Sequence, residues 1–269
     1  MSDLRILFLL FMLYSFLGWA CESAYCSIPA GKPINRGFLA GPFCPIYGAG
    51  AVLVVEALSP AANRVSLVFF AGALLTSLVE YGTGFLLEKL FHTKYWDYSD
   101  HRFHLQGRVC LKNSLLFGGM SVVTVFFLQP FLLGTLERIP KEALPYLSGG
   151  LALYLLTDTV LSAWAAARLN GKLGELQQVL DEIKERAHTA RVETREVLQE
   201  TIAARLDDGT KERLRVLYAR KEKLESDFHL FQRRIIRAFP TMHSVKISNE
   251  ALLRIRDRLQ NYSRLIRRK

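Results

Sequence analysis

The sequence predicts an all-α, polytopic membrane protein with about five transmembrane helices followed by a cytoplasmic helical or coiled-coil tail. Five apolar runs approach the roughly 20 residues needed to cross a bilayer, and they cover residues 4–25, 37–58, 65–87, 114–133 and 144–167. Residues 169–269 instead carry 23 basic and 15 acidic residues, a formal charge of +8 within the total of +10. We therefore divide the chain into a transmembrane domain, 1–168, and a soluble helical tail, 169–269.

The distribution of Lys and Arg between the loops predicts how the chain is oriented. With the N-terminus outside, the cytoplasmic side receives the basic tail and seven loop residues: Lys32, Arg36, Lys89, Lys94, Arg102, Arg108 and Lys112. The outer side keeps only Arg5, Arg64, Arg138 and Lys141. Cytoplasmic loops are enriched in Lys and Arg. We therefore predict a multi-pass protein of the cell membrane with its N-terminus outside and its tail in the cytoplasm.

The second apolar run is unusual because residues 35–48 read N-R-G-F-L-A-G-P-F-C-P-I-Y-G. Prolines remove amide donors and glycines let the backbone bend. This composition is typical either of a tight turn before a helix or of a shaped backbone that lines a polar site. Because the predicted topology places Arg36 at the cytoplasmic face, we favour an inward-facing site, with Asn35 and Arg36 as candidate binding residues.

Several acidic residues fall within the apolar runs. Glu22 lies near the inner end of the first run, Asp158 lies in the fifth, and Glu80 and Glu88 share one helix face with Gly84 between them. Ionisable residues within a span are costly and usually face protein or water, so these four suit a cation, an amine or a proton path. The alternative is that Glu22 and Glu88 reach the interface, and that the glycines make a close helix contact.

The loop after the third run contains further polar candidates. It includes Asp97, His101, His104 and Arg108. A His-x-x-His spacing in a loop, without a fixed scaffold, is weak evidence for a metal site. We therefore predict neither a metal nor a cofactor, and we expect hydrogen bonds to order the loop. Asp97 and Arg108 join the candidate site residues.

The two halves of the membrane part resemble each other loosely. Each half has an outside-in helix carrying an acid, a cytoplasmic loop and an inside-out helix. The string N-R-G-F-L precedes Tyr47 and Gly48, and G-R-V-C-L precedes Phe117 and Gly118. Halves of equal orientation would form a parallel repeat.

The tail shows the alternation of three and four residues that is typical of coiled coils. The first series contains Leu173, Leu176, Leu180, Ile183, Ala187, Ala190, Thr194 and Val197, and Asp207, Asp208 and Gly209 interrupt it. The second series contains Leu214, Leu217, Leu224, Phe228, Phe231, Ile235 and Ala238, and Pro240 ends it. A third helix with one apolar face follows Ser248. The sequence therefore predicts a helical hairpin plus a third helix.

Five strings carry a resemblance to a known family: G-W-A-C-E-S-A-Y (18–25), the string at 35–48, L-V-E-Y-G-T-G-F-L-L-E-K-L-F (78–91), W-D-Y-S (96–99) and G-R-V-C-L (107–111). Over residues 8–140 the chain resembles the bacterial integral membrane proteins named Putative ABC-transporter type IV, or CmpB-like. The family often has Ser-x-x-Trp-Gly where this chain has Ser114 to Gly118 with Phe117, a mild departure. The resemblance implies a permease. Because no G-x-x-x-x-G-K-[ST] motif is present, ATP use would need a separate ATPase subunit.

The favoured function is a permease-like membrane protein with an inward-facing polar site lined by the embedded acids and Arg36. One alternative is a membrane-embedded enzyme, in which Asn35, Arg36 and Arg108 hold an anionic group and Glu22 or Glu80 is the base. No nucleophile–base pair is recognisable, so the residues favour a protein that is not an enzyme. Another alternative is a scaffold whose coiled tail recruits a partner. Candidate partners are the lipid bilayer, an ATPase subunit or another protein on the tail, and a second copy of the chain; we expect no nucleic acid.

Overall fold

The computed structural model describes residues 3–31, 33–189, 208–246 and 248–266. Helices make up 76% of it, which confirms a predominantly helical protein. The chain folds as two compact units. The first contains Met1–Trp164 and Arg234–Met242, and the second contains Ala165–Arg233 and His243–Lys269. No pattern in the sequence predicts that the short stretch Arg234–Met242 belongs with the first unit.

The first unit is built on a series of apolar helices: α1 (Leu4–Ala30), α2 (Pro45–Leu58), α3 (Val65–Phe91), α4 (Leu111–Val123) and α5 (Gln129–Leu136). A 3-10 turn, Ser59–Ala61, follows α2. The helix α6 (Leu144–Thr189) begins in this unit and continues into the second. Three short strands lie between α3 and α4, namely β1 (Thr93–Lys94), β2 (His104–Leu105) and β3 (Val109–Cys110), and β2 pairs antiparallel with β3.

Four of the described helical segments are long and apolar enough to cross a membrane: Leu4–Ile28, Val65–Phe91, Leu111–Leu136 and Leu144–Arg186. The second predicted run differs from the others. Residues 37–44 are not helical, and the apolar helix begins only at Pro45. A proline is favourable in the first turn of a helix, because its missing amide hydrogen has no partner there in any case. The residues before it form an irregular loop.

A π-helical turn, Thr124–Leu128, joins α4 to α5 within the fourth apolar run. Pro130 follows this turn and has no amide hydrogen to donate to the carbonyl group of Phe126. The backbone hydrogen bonds therefore change from the α-helical pattern, between residues four apart, to the π-helical pattern, between residues five apart, over five residues. The side chain of Gln129 accepts a hydrogen bond from the Tyr14 hydroxyl at 2.5 Å, which ties this turn to α1.

Glycines at equivalent places bring the helices of each half into close contact. A Cβ at Gly48 would overlap Ser15 and the carbonyl oxygen of Phe11. In the second half, a Cβ at Gly118 would press in the same way on the carbonyl oxygen of Phe69 and on Ala73. Phe11 and Ser15 are four residues apart, as are Phe69 and Ala73. The α1–α2 pair and the α3–α4 pair therefore each contain the same kind of helix contact. The two halves resemble each other in packing geometry as well as in sequence.

The second unit contains the later part of α6 with α7 (Asp208–Ser226), part of α8 (Leu230–Ala238), the strand β4 (His243–Ser244) and α9 (Glu250–Ile266). Its core places Leu217 and Leu224 of α7 against Val179 and Ile183 of α6. The side chain of Gln177 accepts a hydrogen bond from the backbone of Ala251 at 3.1 Å and so holds α9 beside α6.

The second apolar series of the tail does not run through one helix. Residues 227–229 separate α7 from α8, and the backbone amide of His229 donates to the side chain of Gln232 at 3.0 Å, a cap at the start of a new helix. The break changes the helical phase. Phe231, which the alternation placed on the apolar face, is 45% exposed, whereas Gln232 is buried. Lys32, Ala190, Thr194, Val197 and Asp207 lie outside the described residues.

Candidate functional site

The loop 33–44 before α2 is held to α1 by side chains of its own and of that helix. The Trp19 indole donates to Oδ1 of Asn35 at 2.7 Å, and the Asn35 amide group donates to the carbonyl of Ala40 at 2.7 Å. At the end of the loop, the backbone amide of Cys44 donates to the backbone carbonyl of Ser15 at 2.9 Å. Asn35 therefore braces the loop, and both polar ends of its side chain are engaged.

The predicted acid of α6 binds the same loop. Asp158 is only 7% exposed, and its two oxygens accept hydrogen bonds from the backbone amides of Ala40 at 2.9 Å and Gly41 at 2.8 Å. The fully buried Ser162, one turn further along α6, donates to Asp158 at 3.1 Å. The amide groups of an irregular loop need hydrogen-bond acceptors where they are removed from water, and Asp158 accepts from two of them.

The carbonyl groups of the loop are bound by an arginine that is 195 to 197 residues further along the chain. The Arg234 guanidinium donates to the carbonyl oxygens of Gly37 at 3.0 Å, Phe38 at 2.6 Å and Leu39 at 2.6 Å. Burial lowers the pKa of Arg234, and the charge of Asp158 opposes that shift. One loop is thus bound on its amide side by a carboxylate and on its carbonyl side by a guanidinium.

Arg36 and Glu22 form an ion pair, with Nε of Arg36 3.0 Å from Oε1 of Glu22. The pair is partly exposed, because the two side chains keep 16% and 27% of their accessible surface. The backbone amide of Arg36 donates to Ser23 Oγ at 3.1 Å, and its guanidinium also donates to the carbonyl of Ala238. The Phe239 ring lies 5.1 Å from the guanidinium carbon. The charge of Arg36 is therefore paired with the carboxylate of Glu22.

Glu88 and Arg108 form a second ion pair between α3 and the following loop. Oε2 of Glu88 accepts from Nη2 of Arg108 at 2.8 Å and from Nε at 3.1 Å. Arg108 is 9% exposed, and its carbonyl accepts from the Trp96 indole at 2.9 Å. A Cβ at Gly84 would come within 3.2 Å of Trp96, so a glycine there lets the loop approach α3. Two residues of the predicted face of α3, Gly84 and Glu88, therefore contact the loop that follows this helix.

Asp97 and His104 make hydrogen bonds that order the loop after α3. Oδ1 of Asp97 accepts from the Ser99 hydroxyl at 2.6 Å and from the Ser99 amide at 3.0 Å, which is a local turn. The Gly107 amide donates to Nδ1 of His104 at 3.1 Å, and the φ of Gly107 is +70°. Within the described ranges, no three His, Cys, Asp or Glu side chains gather closely enough to hold a metal ion.

Glu80 has a different environment from the other acids. It is 6% exposed, and its Oε1 accepts a hydrogen bond from the Tyr98 hydroxyl at 3.1 Å. Its Oε2 is buried and has no hydrogen-bond partner among the described residues. Burial raises the pKa of Tyr98 above its ordinary range and the charge of Glu80 raises it further, so the hydroxyl keeps its proton and acts as the donor.

Glu22, Glu80, Tyr47 and Tyr98 lie close enough to interact electrostatically. The charge of Glu22 influences the ionisation of Glu80 and of both tyrosines, and Tyr98 influences the ionisation of Tyr47. Glu22 lies eleven residues after Phe11, and Glu80 lies eleven residues after Phe69. The two acids therefore occupy the same place in the repeated halves. The rings of Tyr47 and Phe117, each preceding the packing glycine of its half, meet with centroids 6.1 Å apart.

The two halves differ in how they neutralise these equivalent acids. Arg36 and Arg108 hold the same place in the two echoed loop strings. Arg36 pairs with Glu22, but Arg108 pairs with Glu88, two helical turns beyond Glu80. In the part of the chain that the structure describes, no ion pair reaches Glu80. The site therefore contains one neutralised acid beside one buried acid with a free oxygen.

The predicted residues thus separate into groups. Glu22 pairs with Arg36 and lies near enough to Glu80 to influence it electrostatically. Glu88 and Arg108 form a pair of their own, and Asn35, Asp97 and Asp158 bind backbone or neighbouring side chains. Sequence reasoning did not single out Tyr98 or Arg234 as site residues. Tyr98 lies in the W-D-Y-S string, which the resemblance already marked. Nothing in the sequence distinguishes Arg234 from the other basic residues of its amphipathic helix.

The apolar helices, with acids and an arginine packed among them, define an integral membrane protein. A family model described as "Putative ABC-transporter type IV" matches residues 9–163. This match covers more than half of the chain, so the chain belongs to that family. The stretch Arg234–Met242, which contributes to the first unit, lies outside the matched residues. Comparisons with curated proteins and with solved structures found no match.

Proposed function

We propose that this chain is a permease-like membrane protein in which Glu80 binds a proton or a small cation. The observation that carries the proposal is the Oε2 atom of Glu80, which is buried and has no hydrogen-bond partner among the described residues, while Oε1 of the same group accepts from Tyr98. A buried carboxylate without a cation is costly. Taking up a proton or a cation removes that cost.

The positions of the arginines favour this function over the binding of an anionic substrate. Arg36 and Arg108 each face a carboxylate at 3.0 Å or less. Binding a phosphate group there would require breaking an ion pair and leaving the acid partner uncompensated. The acid that lacks a counter-charge is Glu80, so the site favours a positively charged occupant.

The proposal includes the orientation of the chain. The N-terminus lies outside the cell and α6 carries the chain into the cytoplasm, with α2 as a short crossing in addition to the four long ones. The excess of Lys and Arg in the loops on one side supports this arrangement. In this orientation, the site that contains Glu22 and Glu80 is accessible from the cytoplasmic face, near the loop 33–44.

Flux measurements in proteoliposomes test the function. The wild-type protein should carry protons or a monovalent cation down an imposed membrane potential, with proton flux read by an entrapped pH-sensitive dye and cation flux by uptake of a radiolabelled ion. Glu80→Gln should abolish that flux. The matched control is Glu56→Gln on α2, whose exposed carboxyl group lies outside the site. Equal flux in wild type and Glu80→Gln, or no flux of either ion through the wild-type protein, would overturn the proposal.

A further inference from the structure

The carbonyl groups of three successive residues, Gly37, Phe38 and Leu39, point towards one guanidinium group. Nη1 of Arg234 reaches two of these oxygens and Nη2 reaches the third, at distances of 2.6 to 3.0 Å. Successive carbonyls of an extended strand point to alternate sides, so this convergence requires an unusual backbone. Gly37 provides it with a φ of +131°, a conformation that side chains disfavour.

The guanidinium is recognised by the carbonyl groups rather than by an acid in direct contact. Arg234 makes no ion pair within 4.0 Å of a described carboxylate. Asp158 supplies the compensating charge from the other side of the loop, where it accepts from the amides of Ala40 and Gly41. The loop backbone therefore lies between an anion and a cation and is polarised by both.

Only the terminal nitrogens of Arg234 take part in this recognition. Its Nε is buried and has no hydrogen-bond partner among the described residues. The atoms that bind are those that free guanidinium also presents, in the same planar fork. An ammonium group offers its donors in a tetrahedral arrangement on one nitrogen, whereas these three carbonyl oxygens are bound by two nitrogens of a planar fork.

We propose that the carbonyl groups of residues 37–39 form a guanidinium-binding site that Arg234 fills from within the chain. Small guanidinium cations bind this site when the arginine side chain is removed. The site is separate from Glu80, so it stands whether or not the protein carries protons or cations. The ring of Phe239, which packs on Tyr95 with centroids 5.1 Å apart, keeps the Arg234–Met242 stretch in place around it.

Chemical rescue of the full-length protein tests this proposal. Arg234→Ala should lower the thermal midpoint in detergent, because three carbonyl groups lose their donors. Millimolar guanidinium or methylguanidinium should then raise that midpoint with a saturable dependence and recover most of the loss. Potassium and tetramethylammonium at equal ionic strength should not. Wild type should show no guanidinium response, and neither should the control Arg237→Ala, which removes an exposed arginine from the same helix.

Two results would overturn the proposal. One is an Arg234→Ala midpoint that guanidinium does not raise, and the other is an equal rise in wild type and variant. If Arg234→Ala does not accumulate as folded protein, Arg234→Gln carries the same test, because its amide nitrogen keeps N–H donors for the loop. A rescue of Arg234→Gln by guanidinium supports the site, and its absence counts against it. Adding Asp158→Asn should weaken the rescue by removing the compensating charge.

Discussion

The Tyr98 hydroxyl donates a hydrogen bond to one oxygen of Glu80 at 3.1 Å and leaves the other oxygen of that buried carboxyl group without a partner. This relationship joins the loop after α3 to the middle of the apolar unit. It also sets Glu80 apart from its counterpart Glu22, which pairs with Arg36. The loop thus supplies Glu80 with a hydrogen-bond donor where the first half supplies Glu22 with a cation.

Removing the Tyr98 hydroxyl should destabilise the protein and change the site. We expect Tyr98→Phe to cost about 1–3 kcal/mol of unfolding free energy, because Glu80 loses its hydrogen-bond donor while staying buried. Thermal midpoints in detergent and ion flux in proteoliposomes would both be measured. Tyr25→Phe is the matched control, since Tyr25 is 77% exposed. Equal midpoints for the two variants would contradict the importance of the bond.

Asp158 should control the order of the loop before α2. Asp158→Ala leaves the amide of Gly41 without an acceptor and leaves the amide of Ala40 only the Ser162 hydroxyl at 3.2 Å, so we expect a loss of about 1–3 kcal/mol. Amide hydrogen exchange in residues 35–44 should therefore become faster, while exchange in the middle of α3 stays slow. Asp158→Asn keeps one acceptor oxygen and should show a smaller increase. Unchanged exchange at Ala40 and Gly41 would show that Asp158 does not hold the loop.

The Glu88–Arg108 pair should behave as a structural contact. Arg108→Ala leaves a largely buried carboxylate uncompensated, so we expect a loss of about 3 kcal/mol. The double variant with Glu88→Ala should recover part of that loss, because the unpaired charge is gone. Unfolding free energies of the two single variants and the double variant form the required cycle. Arg102→Ala, at an exposed position of the same loop, is the control. Additive losses would argue against the pair.

The second unit should lose part of its stability in acid through Glu250. Hydrogen bonding from Lys184 lowers the pKa of Glu250, with Arg254 acting in the same direction and burial opposing both. A carboxyl group with a lowered folded-state pKa stabilises the protein above its unfolded pKa of about 4.3, and this contribution disappears as the pH falls through the folded value.

The variant Lys184→Met tests that dependence. It should lower stability at pH 7 by less than about 1 kcal/mol, since the pair is partly exposed. The difference from wild type should shrink as the pH falls below about 4. Hydrogen exchange in α9 would report the effect. In a Glu250→Gln background, Lys184→Met should change nothing further. A difference that persists unchanged at low pH would contradict the linkage.

The sequence predicted the apolar helices and singled out the acids within them, but not the residues that contact those acids. Hydropathy identifies such helices because a helix pairs all of its backbone hydrogen-bonding groups within one segment, so a long apolar run in a membrane is expected to be helical. The spacing of Glu80, Gly84 and Glu88 placed them on one face of α3, and the structure shows two roles along that face. Glu88 binds Arg108 in the next loop, while Glu80 lies deeper beside Tyr98. Periodicity within one helix does not determine which loop residue reaches which position.

The loop before α2 shows the same limit at longer range. Its glycines and prolines predicted an irregular backbone, and the structure begins the helix only at Pro45. The groups that satisfy this backbone come from Asp158 and Arg234, more than 110 residues away in sequence. Pairings over such distances follow from the packing of the whole unit. Asp158 was singled out because it is an acid in an apolar run, whereas Arg234 lies in a basic helix where one arginine resembles the next.

The most direct test of the account is infrared difference spectroscopy of the purified protein during a pH or cation titration. Binding of a proton or cation at Glu80 should produce a carboxyl band that titrates in wild type and in Glu56→Gln, and that is lost in Glu80→Gln. The band should shift in Tyr98→Phe, because the hydrogen bond to Oε1 is gone. If the difference spectrum of Glu80→Gln matches that of wild type, Glu80 does not bind the ion and the central claim is wrong.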